Sequence, residues 1–212
     1  MKVSLSILTV DYANVEKSLA PLLNDLDYIH LDVMDGVFVP NISFGYSFIK
    51  SLRKITNLPF DTHLMIQNPI SYIKNFAEAG SQYITFHYEA SSDVMETINL
   101  IKSYNVKAGI SIKPNTTVEE IEHLLPYLDM VLIMSVEPGF GGQKFMPSSI
   151  DKVKRLSQLK NEKGYNYLIN IDGGINGETA KLVSDYCDLV VSGSYVVNAE
   201  EPLENLNVLK NI

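Results

Sequence analysis

Four residues of the kinds that ligate metals and move protons, His30, Asp32, His63 and Asp172, stand at or near the ends of short apolar runs. In the run 28–33 the two-residue period of a strand puts His30, Asp32 and Met34 on one face and Ile29, Leu31 and Val33 on the other. The same period groups Asp61, His63 and Met65 in the run 60–65, and Leu168, Asn170 and Asp172 in the run that ends at Asp172. The apolar faces must meet a layer of helices, so the polar faces turn inward. Two imidazoles and two carboxylates brought together suit one divalent transition ion (zinc, iron, manganese or cobalt). Imidazole nitrogen and carboxylate oxygen both bind such ions, and a cation neutralises paired inward acids. Singly, each would be an ordinary hydrogen-bonded residue at a strand end; it is the joint placement that points to a site.

The elements that must position these residues are eight β-branched runs, 2–8, 28–33, 60–65, 83–87, 106–112, 130–136, 167–171 and 189–192, alternating with helical patterns. A helix over 14–24 is expected from Val15, Leu19, Leu22 and Leu23. Asn68-Pro69 reads as a cap and first turn, with Gly80 at the far end and Ile70, Ile73 and Ala77 as the buried stripe. Asp93 with Glu96 and Thr117 with Glu120 have capping-box spacing. Pro147 opens a helix bearing Ile150, Val153, Leu156 and Leu159, and Asn176 caps one bearing Ala180 and Val183.

Alternation of this kind requires parallel strands joined by crossovers, and eight of them predict an eight-stranded parallel (β/α)8 TIM barrel, one domain over 1–212. Ser6, Asp32, His63, His87, Ser135, Asp172 and Ser192 then all fall toward C-terminal strand ends, where barrel enzymes place their chemistry. Three glycine-rich turns follow late strands: Gly139-Phe140-Gly141-Gly142, Gly173-Gly174 and Gly193-Ser194. Such turns let backbone N–H groups close on an anion, which predicts a phosphate site. By pattern alone Met34, Met65 and Met134 read as core filler, and His87 as a satisfied polar residue.

Composition narrows the partners. The 212 residues carry 17 Lys+Arg against 25 Asp+Glu, a net charge of −8, which disfavours nucleic acid and acidic membrane surfaces. No apolar run approaches the ~20 residues of a membrane span, and the expected location is cytoplasmic. The single cysteine, Cys187, beside Leu189-Val190-Val191, reads as a small core residue. The expected partner is a small molecule, and a homo-oligomer is compatible with the sequence.

The run His30-Leu-Asp-Val-Met-Asp-Gly-Val-Phe-Val-Pro-Asn41, with His63-Leu-Met65, Met134-Ser-Val-Glu-Pro-Gly-Phe-Gly-Gly-Gln-Lys-Phe145 and Asp172-Gly-Gly174, resembles the ribulose-phosphate 3-epimerase family over nearly the whole chain. The resemblance implies interconversion of D-ribulose 5-phosphate and D-xylulose 5-phosphate in the pentose phosphate pathway. It implies His30, Asp32, His63 and Asp172 as metal ligands and Asp32 and Asp172 as the acid/base pair. Ser6 and His63 would contact the ketose phosphate, Gly139 to Gly142 and Gly193-Ser194 would hold its phosphate, and the turn at Gly173-Gly174 would add to the substrate site. Met34, Met65 and Met134 would line the reacting centre. The chain departs from the family's pattern at Ser4-Leu-Ser-Ile-Leu8, which lacks the usual Ala-Pro; at Tyr88, where proline is usual; and at Tyr195, where a small residue is common. A related allulose-6-phosphate 3-epimerase shares the metal set.

Inversion at carbon 3 of a ketose needs one group to remove a proton and another to return one on the opposite face. Two carboxylates, one ionised and one protonated, provide this through a metal-assisted cis-enediolate. A metal-dependent hydrolase could use the same ligands, and a silent phosphosugar sensor the same barrel. Retention of both acids disfavours the sensor.

Overall fold

The structure, a computed structural model, describes residues 1–91 and 93–212. Eight strands form: β1 (Lys2–Ser6), β2 (Tyr28–Met34), β3 (Phe60–Met65), β4 (Tyr83–His87), β5 (Lys107–Ile112), β6 (Met130–Met134), β7 (Leu168–Asp172) and β8 (Leu189–Ser192). Each pairs in parallel with the next, and β8 returns to β1, so the sheet closes into the expected barrel. Strand ends differ from the sequence reading by no more than two residues. The first stops at Ser6, whose Oγ accepts the Leu8 N–H at 3.3 Å as the chain turns away.

The two-residue period sorts the side chains as expected. Leu5, Ile29, Leu31, Leu64, Ile84 and Ile171 face outward into one continuous apolar core. Helices close over it with residues at three- and four-residue spacing, such as Ile98 and Ile101 of Val94–Ser103 and Val153, Leu156 and Leu159 of Ser148–Lys163. Each such side chain, fully buried, stabilises the fold by about 1.5–3 kcal/mol. At the N-terminal end of the bore Tyr28, Tyr83, Met130 and Leu189 form a separate buried plug, and Lys107 Nζ donates to Tyr83 Oη at 3.0 Å. Cys187 is buried and free.

Three helix expectations need correction. The first helix is short, Val15–Leu19, after a 3₁₀ turn (Tyr12–Asn14) capped by Asp11; Pro21 lacks an N–H to continue it, and Leu22 is buried from a turn instead. Asn68 does not cap: it is left-handed (φ 52°) and its Nδ2 donates to Ser71 Oγ at 2.9 Å. The stripe that follows is Ile73, Phe76 and Ala79, with Ile70 and Ala77 at its margin. Asn176 does accept the Glu178 and Thr179 N–H groups, but the turn it caps leads only into a 3₁₀ segment, Ala180–Leu182. The Asp93 cap and the Thr117–Glu120 capping box form as read.

Candidate active site

Register assembles the site. In the β2–β3 ladder Asp32 lies opposite His63, His30 opposite Asp61 and Met34 opposite Met65, while β7 brings Asp172 beside Met134 of β6. One ligand atom from each of His30, Asp32, His63 and Asp172 lies within 4.8 Å of the other three. Asp32 Oδ1 is 3.2 Å from both His30 Nε2 and His63 Nδ1; Asp172 Oδ2 is 3.8 Å and 4.0 Å from the same two nitrogens. Ligands of a tetrahedral ion with bonds of about 2.0–2.1 Å would be about 3.4 Å apart, so the spacing fits.

The histidine nitrogens supply the chemical test of that fit. Asp61, buried beneath the site, accepts from His30 Nδ1 at 2.8 Å, from Ser4 Oγ at 3.3 Å and from Asn170 Nδ2 at 3.3 Å. That leaves a lone pair on His30 Nε2, which is buried, faces the two carboxylates and has no aligned hydrogen-bond partner. A nitrogen lone pair aimed at carboxylate oxygens is unfavourable unless a cation lies between them. A proton can also fill that place: against the cost of burial, Asp32 and Asp61 raise His30 well above the ordinary imidazole value. A divalent ion therefore competes with a proton for one position.

The two acids differ. Burial pushes the Asp32 carboxyl up, but the His30 charge and hydrogen bonds from His30 and His63 outweigh this and hold it well below the usual carboxylate range. Asp172 lacks such partners; burial, and then the Asp32 charge, push it up to about 7. Ser6 Oγ donates to the other Asp32 oxygen, Oδ2, at 2.6 Å.

Above these residues opens a cavity of about 580 Å³ lined by Ser6, Asp32, Met34, Met65, Met134 and Asp172 at its floor. Its far wall is made by the three glycine-rich turns and Tyr195. These turns converge: a Cβ on Gly141 would lie 3.6 Å from Ser194 Oγ, and one on Gly193 would lie 3.2 Å from the Ser6 side chain. Gly174 has φ +64°, and a Cβ there would be 2.9 Å from Gln143 O, so packing of two loops already demands glycine at this position. Gly142, also with positive φ, has open space around it, and the Gly141 and Gly142 amides have no acceptor among the described residues. Phe140 lines the mouth but is 55% exposed. Asn41 Nδ2 donates to Gly139 O at 2.7 Å, joining two loops across the opening.

A model of the Ribulose-phosphate 3 epimerase family matches residues 2–197. The chain belongs to this family. Curated relatives named ribulose-phosphate 3-epimerase include one from Bacillus subtilis (strain 168), 46% identical over 92% of this chain and 92% of its own length. Another, from Aquifex aeolicus (strain VF5), is 41% identical over 98% of this chain and 94% of its own length. In fold the chain resembles the solved 3-hexulose-6-phosphate synthase from Salmonella typhimurium, with a TM-score of 0.77 at 17% identity, covering 100% of this chain and 97% of that one. The structure brings together His30, Asp32, His63 and Asp172, the residues that the strand period turns inward.

Two strand-end serines stand apart. Ser135 Oγ donates to the Asp172 and Gly173 carbonyls at 2.8 and 2.6 Å, and Ser192 Oγ to Ile175 O at 3.1 Å. They hold the loop after β7 rather than line the cavity. His87, read from sequence as a satisfied polar residue with no partner named, is satisfied by two, His63 Nε2 at 3.0 Å and Glu89 Oε2 at 3.2 Å. Sequence reasoning assigned no role to Asp61, Ser4 or Asn170, although the period in β3 had placed Asp61 on the inward face. No helix among the described residues is long and apolar enough to cross a membrane.

Proposed function

We propose that the protein interconverts D-ribulose 5-phosphate and D-xylulose 5-phosphate by proton transfer at carbon 3 between Asp32 and Asp172. The observation that carries this reading is the pair of inward carboxylates in one ligand cluster with opposite proton affinities. Asp32 and Asp172 stand on β2 and β7, separated around the ring by β1 and β8, so a ketose lying across the mouth presents one face to each. Near neutral pH Asp32 is ionised and can take the C3 proton, and Asp172 carries a proton to deliver on the other face. In the reverse direction the roles exchange.

Ser6 Oγ, hydrogen-bonded to Asp32 Oδ2, orients that carboxylate for transfer. His30 Nε2, His63 Nδ1, Asp32 and Asp172 would hold one zinc, iron, manganese or cobalt ion, which when bound supplies positive charge opposite the cis-enediolate oxygens. Met34, Met65 and Met134 exclude water around the reacting carbons. Gly139 to Gly142, Gly173-Gly174 and Gly193-Ser194 receive the phosphate on backbone N–H groups. The acidic chain as a whole does not attract this dianion, so its binding is local.

The test is an NMR assay in deuterated water with ribulose 5-phosphate, allulose 6-phosphate and unphosphorylated ribulose. Deuterium should enter at carbon 3, and ribulose 5-phosphate should show the highest kcat/KM. With Tyr195 on the cavity wall, one extra carbon should cost about 1–3 kcal/mol, or about tenfold to 200-fold. A faster hexulose phosphate would replace the substrate, and equal turnover of unphosphorylated ribulose would remove the phosphate site. Hydrolysis without carbon-bound deuterium would favour the hydrolase.

Metal removal should abolish turnover, and full activity of protein shown to be metal-free would eliminate the ion from the mechanism. Affinity should also depend on pH. His30 binds a proton more readily than usual and must lose it to ligate, whereas Asp172 has a second oxygen to carry the proton that it delivers. Affinity should fall as pH drops below about 7, by about tenfold per unit for each proton displaced. A competition titration with a chromophoric chelator between about pH 8 and 5 reads this slope; a flat profile would remove His30 from the ligand set.

A further inference from the structure

The two histidines of the cluster face it with different nitrogens, His30 with Nε2 and His63 with Nδ1. Each must therefore be held in a different tautomer, the first by Asp61, as described. For His63 the hydrogen-bond chain starts at the acceptor Glu89, just beyond the end of β4. Glu89 Oε1 accepts the Lys113 N–H at 2.8 Å and the Thr116 hydroxyl, and Oε2 faces His87 Nδ1 at 3.2 Å. Lys152 Nζ holds the same loop in place through the carbonyls of Lys113, Pro114 and Thr116 at 2.9, 2.7 and 2.6 Å.

A carboxylate can only accept, so His87 Nδ1 donates to it. The neutral ring then carries its lone pair on Nε2, 3.0 Å from His63 Nε2, which must donate in turn. That leaves the His63 lone pair on Nδ1, turned toward Asp32 and Asp172. The opposite order lets His63 Nδ1 donate to Asp32 while no cation lies between them, but it sets the His87 Nδ1 lone pair against the Glu89 carboxylate in a buried place. Phe38, its ring centroid 4.8 Å from that of His87, covers the relay, and Lys113 Nζ lies 3.9 Å over the Phe38 ring.

We infer that His87 and Glu89 are positioning residues: through the hydrogen-bond order Glu89–His87–His63 they fix the His63 tautomer that offers Nδ1 to a divalent ion. The inference rests on the proposal that the cluster holds such an ion, and the experiment separates the two. Co²⁺ is the probe, its affinity measured by competition with a chelator on the full-length protein, with thermal melting alongside. His87→Leu, which removes the acceptor, should weaken Co²⁺ binding about 10–100-fold. His87→Gln places an amide oxygen near the lost Nε2 and should stay within about threefold of wild type. Glu89→Gln, whose amide permits either order, should fall between them.

Wild-type affinity in folded His87→Leu, or an equal loss in His87→Gln and His87→Leu, overturns the relay; wild-type affinity in Glu89→Gln overturns the part given to Glu89. Nitrogen-15 shifts of the histidine rings in Zn²⁺-loaded protein supply a second readout: His87 should be protonated on Nδ1 and bare on Nε2, and the reverse tautomer overturns the inference. If wild-type protein binds neither Co²⁺ nor Zn²⁺, the metal reading fails, whereas unaltered binding by folded His87→Leu sinks the relay alone.

Discussion

Replacing Asp172 by Asn is expected to abolish turnover and yet to raise the melting temperature of the chelated protein at pH 8. Loss of a positioned proton donor costs about 10²–10⁴-fold in rate, and an amide is also a poorer metal ligand. Stability moves the other way. In the folded chain Asp172 is raised from its ordinary 3.8 to about 7 by burial and by Asp32. A raised carboxyl means that the folded state holds the charged form less well than the unfolded chain does. The penalty begins above the ordinary value, grows through about 7 and is complete beyond it, reaching a few kcal/mol at about 1.4 kcal/mol per unit. Asn carries no such penalty. For a chain of this length each kcal/mol is about 2–4 °C, so the gain should be several degrees at pH 8 and clearly smaller at pH 5. A folded variant with near-native kcat would refute the two-base scheme; a lowered melting temperature would refute the account of the raised carboxyl.

Asp32→Asn should also abolish turnover but destabilise the protein, by about 3–5 kcal/mol, the range for removing one partner of a buried ion pair. Asp32 sits 3.2 Å from both histidine nitrogens and accepts from Ser6, so its removal strips His30 of one of the two carboxylates that raise its proton affinity. Because the Asp32 carboxyl is held low in the folded state, its contribution is present above the ordinary carboxyl value and lost as pH falls toward the folded one. The deficit of the variant should therefore be largest near neutrality and shrink in acid. Urea unfolding of chelated protein at pH 7 and pH 4 reads this; equal midpoints for variant and parent at pH 7 would show that Asp32 plays no part in holding the fold.

These opposite signs come from neighbours that the sequence shows only in part. The period in 28–33 and 60–65 is enough to put His30, Asp32 and His63 on inward faces, because a strand buried on one side by helices leaves no other choice. Counting the alternations is enough to close the ring and bring Asp172 to them. Helix ends were less legible, since Pro21 and the left-handed Asn68 replace regular helix with turns that still bury Leu19, Leu22 and Ile73. Least legible were Asp61 beneath His30 and Glu89 behind His87. Pairing of His30 with Asp61 depends on strand register, which a one-residue slip would undo; Glu89 lies only two residues past His87 but beyond the strand end, and no local pattern marks a carboxylate as the partner of a given imidazole.

The plug of Tyr28, Tyr83, Met130 and Leu189 leaves the bore with a single door. In the two-base scheme one carboxylate takes a proton and the other gives up a different one, so each turnover leaves the pair with the proton on the wrong partner for repeating the same direction. The enzyme thus keeps a memory of its last reaction, erased only when the proton crosses back by way of water at the mouth. Since Asp32 holds a proton far less readily than Asp172, the erasure runs downhill after one direction and uphill after the other.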